Sequence, residues 1–143
     1  FDILYRNEDH LWSFTGLPNT LIRPRAKPRQ INLNAFTNLA NRFTQNGLKQ
    51  KYTELLKDHL TPVPDTPYVG KVKLLYVYYA PNKTRRDLEN MTAVVMKFTN
   101  DALVKYGFLE DDNTSVIQNI HSAYGGLDPD KFNHCDLHIF KDD

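Results

Sequence analysis

A single cysteine, Cys135, rules out an internal disulfide in this 143-residue chain. No apolar run approaches the roughly 20 residues that a membrane-spanning helix needs, and no internal repeat or low-complexity tract points to a solenoid or an array. The chain opens on Phe1 rather than methionine, and no targeting segment is visible in it. A reducing cytoplasm is the compartment these absences fit. Hydrophobic residues make up 41% of the chain and aromatics 12%, enough to pack one core. The expectation is a single domain over 1–143, with 1–10 as an N-terminal extension.

The net charge of +1 hides a segregation. Positions 20–86 hold 13 Lys or Arg against 3 acids, whereas 87–143 hold 4 against 11. A basic half can track phosphates while an acidic cluster holds a cation. Charge blocks of this kind also arise on ordinary surfaces, so the pattern alone does not choose.

Local patterns predict the order β-α-β-α-β-β, a small mixed sheet packed with two main helices in the α/β (α+β) class. Residues 11–15 (LWSFT) alternate as a short strand before Gly16, Pro18 and Asn19. The run RPRAKPR places Arg23, Arg25, Lys27 and Arg29 on one side of an extended, proline-stiffened chain. It reads either as a phosphate-contacting arm or as a solvated basic loop. Asn34 is a candidate cap for a helix running to Pro62, with Gly47 as a point of bending or breakage. The segment 71–79 (KVKLLYVYY) is the strongest strand candidate. A helix over 88–106 follows, closed by Gly107. Strands over 116–123 and 135–140 then flank a polar loop containing Gly125, Gly126 and Pro129.

The acidic residues cluster around the 88–106 helix. Asp87 and Glu89 sit at a strand-to-helix junction, where both can point to one spot beside helix-terminal N–H groups. The alternative is structural, with Asp87 as an N-cap and Glu89 complementing the macrodipole. Past the helix, Glu110, Asp111 and Asp112 repel one another, and a divalent cation such as Mg²⁺ or Mn²⁺ would relieve that repulsion. A solvated acidic turn explains them equally well. If Asp112 opens an extended segment, Asp111 points the other way, so one ligates and the other supports. Asn90, Lys97 and Asp101 fall within about 40° on a helical wheel. Lys97 could thus serve a phosphate transition state or pair with Asp101. A zinc site among His121, His134, Cys135 and His138 is disfavoured, because Cys135 and His138 face opposite sides of a strand.

The runs K-T-R-R-D-L-E-N from Lys83 and K-x-x-x-D-A-L-x-x-x-G-F-x-x-D-D from Lys97 to Asp112 resemble the signature of the RusA-like Holliday junction resolvases. The upstream F-T-G-L-P-N-T-L-I-R-P-R from Phe14 to Arg25 is similar to that family's strand, Gly-x-Pro loop and Arg-Pro-Arg entry. The resemblance spans about 11–140, leaving 1–10 and 125–134 poorly covered. It implies Mg²⁺ held by Asp87, Glu89 and Asp112, with Asp111 in support, and a catalytic lysine matched by Lys97. It further implies DNA contacts from Arg23, Arg25, Lys27, Arg29, Lys83, Arg85 and Arg86. A homodimer that cuts four-way DNA junctions symmetrically, in a bacterial cell or a phage-infected host, completes the picture. Two departures stand out: the second acid is Glu89 rather than Asp, and the lysine comes four residues late, about 6 Å along a helix. Two further readings remain open, a nuclease for flaps or forks and a non-cleaving DNA-binding recombination accessory protein.

Overall fold

The computed structural model describes residues 5–21, 27–39 and 42–143. A short 3-10 turn at Asn7–Asp9 leads into β1 (His10–Pro18), followed by β2 (Thr20–Leu21) and β3 (Arg29–Gln30). Next come α1 (Leu33–Thr37), α2 (Arg42–His59), β4 (Val72–Ala80), α3 (Leu88–Lys105), β5 (Ile117–Leu127) and β6 (His134–Lys141). The result is a mixed α/β single domain with a four-stranded sheet of order β1-β6-β4-β5 and a β2-β3 hairpin beside it.

β4 is central and almost wholly buried, which is why its sequence reads as a continuous apolar run rather than an alternation. Leu74, Tyr76 and Tyr78 face the helices, while Leu75 and Val77 face the other side with Tyr5 and Phe140. β4 and β5 run parallel, and the other pairings are antiparallel. A parallel pair needs a crossover, and α3 supplies it. Its stripe Met91, Val95, Phe98 and Ala102 is buried on the sheet, as the helical spacing predicts. Leu48, Tyr52 and Leu56 bury the matching stripe of α2.

Three expectations are corrected. The first helix is capped by Asn32, not Asn34: Asn32 is extended (φ −148°, ψ 169°) and its side chain accepts from the Ala35 N–H. The Asn34 N–H instead donates to Asn90 Oδ1. The helical region breaks after Thr37 and resumes at Arg42, whereas Gly47 lies inside α2. Gly125 and Gly126 belong to β5 rather than to a loop. A Cβ on Gly125 would sit 2.5 Å from the Tyr79 ring and 2.8 Å from Val77, so glycine is what lets β5 run this close to β4. Within the N-terminal stretch, Tyr5 is buried and hydrogen-bonds His121. Among the described residues, no helix is long and apolar enough to cross a membrane.

Asn19 ties the parts together. It is fully buried, and its amide donates to the carbonyls of Ile31 (2.9 Å) and Met91 (2.6 Å). Its side-chain oxygen accepts from the Cys135 thiol (3.2 Å). One side chain thus joins the β1-β2 turn, the start of α1, the first turn of α3 and β6.

Candidate metal and nucleic-acid site

The loop between β4 and α3 is held by Arg86. Its guanidinium donates to the carbonyls of Asn82 (3.2 Å) and Thr84 (2.9 Å) and to Asn82 Oδ1 (2.9 Å). Asn82 Oδ1 also accepts the Thr84 N–H. Arg86 is therefore a clamp of this loop. Lys83 and Arg85 are exposed, with no side-chain partner among the described residues. They rim a depression of about 370 Å³ floored by Tyr78, Ala80, Leu88 and Tyr124.

Asp87 stands at the cap position of α3 with extended backbone, yet its side chain makes no capping hydrogen bond. The capping explanation for this carboxylate is thus not realised. Asp87 and Glu89 are both exposed at the positive end of the helix dipole, where negative charge is favoured.

Asp112 lies at the other end of α3. Gly107, at φ +86°, turns the chain out of the helix, and Phe108 is fully buried against Trp12 and Phe14, with ring centroids 5.4 and 5.2 Å away. This Gly-Phe anchor fixes where the following acids emerge. Asp111 closes the turn on itself, accepting the Asp112 N–H (2.7 Å) and the Asn113 side-chain amide (3.0 Å). Asp111 therefore supports the Asp112 backbone.

The Asp112 side chain meets Asp101 of α3 instead of Asp87 or Glu89. Its hydrogen bond to Asp101 raises the Asp112 pKa, with partial burial and the Asp101 charge acting the same way. Burial would also raise Asp101, but hydrogen bonds from Lys49 and Asp112, together with the charges of Lys49 and Lys97, outweigh it and hold Asp101 low. The two carboxyl groups are thus set apart, Asp112 shifted up and Asp101 held down. Lys49 on α2 completes the row with a 2.7 Å ion pair to Asp101. Asp101 thus pairs with Lys49, and Lys97 is exposed one turn away. Lys49 and Asp101 are 52 residues apart, and no local pattern announces their meeting.

A single chain does not bring Asp87, Glu89 and Asp112 together. From Asp87 to Asp101 is fourteen residues of continuous helix, about 21 Å at the α-helical rise. Among the described residues no three His, Cys, Asp or Glu side chains gather to hold a metal ion. Cys135 is buried in the helix-side core, and His134 lies 3.4 Å from Asp136 on its own strand. Of the basic arm, Lys27 is exposed and Arg29 is half-buried in β3. Arg23 and Arg25 lie outside the described residues. No protein-family model matches the chain, and no curated protein matches it.

Proposed function

We propose that the chain is a Mg²⁺-dependent, RusA-like DNA endonuclease that resolves four-way junctions as a homodimer. The observation that carries this reading is the unused carboxylate of Asp87. A capping aspartate ordinarily contributes about 1 kcal/mol by accepting helix N–H groups. Here that contact is forgone, and the carboxylate is exposed, as are Glu89, Lys83 and Arg85.

The donors suit a hard cation, since Asp87, Glu89 and Asp112 offer only carboxylate oxygens. Mg²⁺–oxygen distances are about 2.1 Å, so a gap of about 21 Å along α3 cannot be closed within one chain. A second copy with its α3 running antiparallel brings its Asp112 end to the Asp87 end of the first, and does so twice about the two-fold. Two equivalent sites then meet a two-fold symmetric substrate.

When bound, the cation supplies charge stabilisation at the scissile phosphate. Asp87 and Glu89 from one copy and Asp112 from the other would hold it. Asp111 keeps Asp112 in place, and Asp101 lies against the Asp112 side chain. Lys97, one turn from Asp101, is positioned for the Asp112 side of the site. Water attacks phosphorus, the P–O3′ bond breaks, and solvent protonates the departing 3′ oxygen, leaving a 5′ phosphate and a 3′ hydroxyl. Lys83, Arg85 and the arm cations Arg23, Arg25, Lys27 and Arg29 contact strand phosphates, so binding falls steeply with salt.

The test is incubation with a synthetic four-way junction, flap, fork and linear duplex, each with Mg²⁺ or EDTA. Paired symmetric nicks in the junction, dependent on Mg²⁺, are expected. Preferential cutting of flaps or forks would change the substrate. Binding without cutting under all conditions would leave an accessory protein instead.

A further inference from the structure

Among the described residues, β5 is an outer strand of the sheet and pairs only with β4. Its eleven residues, IQNIHSAYGGL, contain no charged side chain and no proline. Charges, prolines and bulges are the usual devices that stop an edge from pairing with another strand. The opposite edge uses two of them: β1 breaks register between His10 and Trp12 and between Phe14 and Leu17, and it ends on Pro18. In β5 the register breaks only near the ends, leaving Asn119 to Tyr124 regular against Lys73 to Tyr78. Ile120 and Tyr124 are 38% and 58% exposed on its helix-side face.

We infer that this edge is where a second copy of the chain docks, β5 against β5 and antiparallel, about a two-fold axis perpendicular to the sheet at His121. The choice of a second copy rests on the nuclease reading above, in which the acidic site is incomplete in one chain. Pairing of this kind continues the sheet to eight strands and keeps both α3 helices on one side. Directly opposed residues in an antiparallel pair point to the same face, so the axis must pass through a residue rather than between two.

The level of that residue follows from one contact. Ser122 Oγ lies 3.2 Å from Thr92 Oγ1, which sets β5 against α3. Counting at helical and strand rises places Asp87 about 11 Å to one side of His121 along the strand direction and Asp101 about 10 Å to the other. An axis at His121 therefore sets the Asp87 end of one copy level with the Asp101–Asp112 end of the other. Moving it to Ser122 offsets the two ends by roughly 6 Å.

The experiment is cysteine cross-linking in the full chain, where the native Cys135 is fully buried and leaves the introduced thiol as the reactive one. Opposed strand residues lie within the reach of a disulfide, at Cα separations of about 5 Å. His121→Cys is expected to form a self-linked dimer under mild oxidation. Asn119→Cys alone is expected not to, because its own mate is about 14 Å away. Mixing Asn119→Cys with Ala123→Cys is expected to link, and that pair leaves the Tyr5–His121 contact intact. A wild-type protein that is monomeric at micromolar concentration, or a dimer in which neither arrangement links, overturns the inference. A linked dimer that fails to cut junctions with Mg²⁺ upholds the interface and removes the nuclease reading. Junction cutting by a protein that shows neither link does the reverse.

Discussion

Asp112→Asn is expected to abolish Mg²⁺-dependent junction cleavage, by at least about a hundredfold, while leaving the fold and DNA binding intact. The asymmetry follows from what an amide can and cannot do in place of the Asp112 carboxylate. The contact with Asp101, partial burial and the Asp101 charge all raise the Asp112 pKa, so an uncharged side chain is well tolerated there. An asparagine amide can donate to the Asp101 carboxylate, so the Lys49–Asp101 row survives and thermal unfolding should shift little. What the amide cannot do is become an anion for a divalent cation. Removing a negative charge beside the phosphates should leave junction affinity in EDTA equal or tighter. Cleavage of wild-type rate by a folded Asp112→Asn protein would remove this residue from the chemistry.

The largest effect on stability is expected from Asn19. Asn19→Ala leaves the Ile31 carbonyl and the Cys135 thiol without their partner in a fully buried site, and it opens a small void. Unsatisfied buried polar groups cost on the order of 1–3 kcal/mol each, which puts the total near 3 kcal/mol and the drop in Tm near 10 °C. Asn19→Asp keeps the shape but exchanges the amide donors for a carboxylate that faces the carbonyls of Ile31 and Met91. It should destabilise at least as much, which separates lost hydrogen bonds from lost packing. Denaturant melts of the two variants check this, and a loss below about 1 kcal/mol in both would show that the buried amide is dispensable.

Much of the fold is legible in the sequence where periodicity is a property of the element itself. β4 and α3 carry their patterns over nine and eighteen residues, and their bounds differ from expectation by a residue. The errors arise where a distant group decides. Asn32 and Asn34 are equally good caps by type, and the Asn90 side chain, 56 residues further on, engages the Asn34 N–H. Gly125 reads as a turn until the Tyr79 ring is placed against it.

The candidate site divides in the same way. Its acids stand out one by one, but their positions relative to each other depend on the unbroken length of α3. Asp101 is visible as part of a polar stripe and of the run from Lys97 to Asp112, whereas Lys49 carries no signal. The Arg85 and Arg86 pair looked uniform, yet Asn82 and Thr84 engage the second guanidinium and leave the first exposed. Sequence spacing brought Asp87, Glu89 and Asp112 within thirty positions of one another, and the helix then set them at opposite ends.

That separation leads to the most direct measurement of a shared site. Asp87→Asn and Asp112→Asn, each inactive alone, are mixed under conditions that exchange subunits and assayed on a four-way junction with Mg²⁺. In a mixed dimer, one site takes its intact Asp87 from one copy and its intact Asp112 from the other. Random exchange should then restore roughly a quarter of the wild-type sites, seen as single-strand nicks rather than paired cuts. No recovery of nicking after verified exchange would show that the carboxylates do not act across two copies.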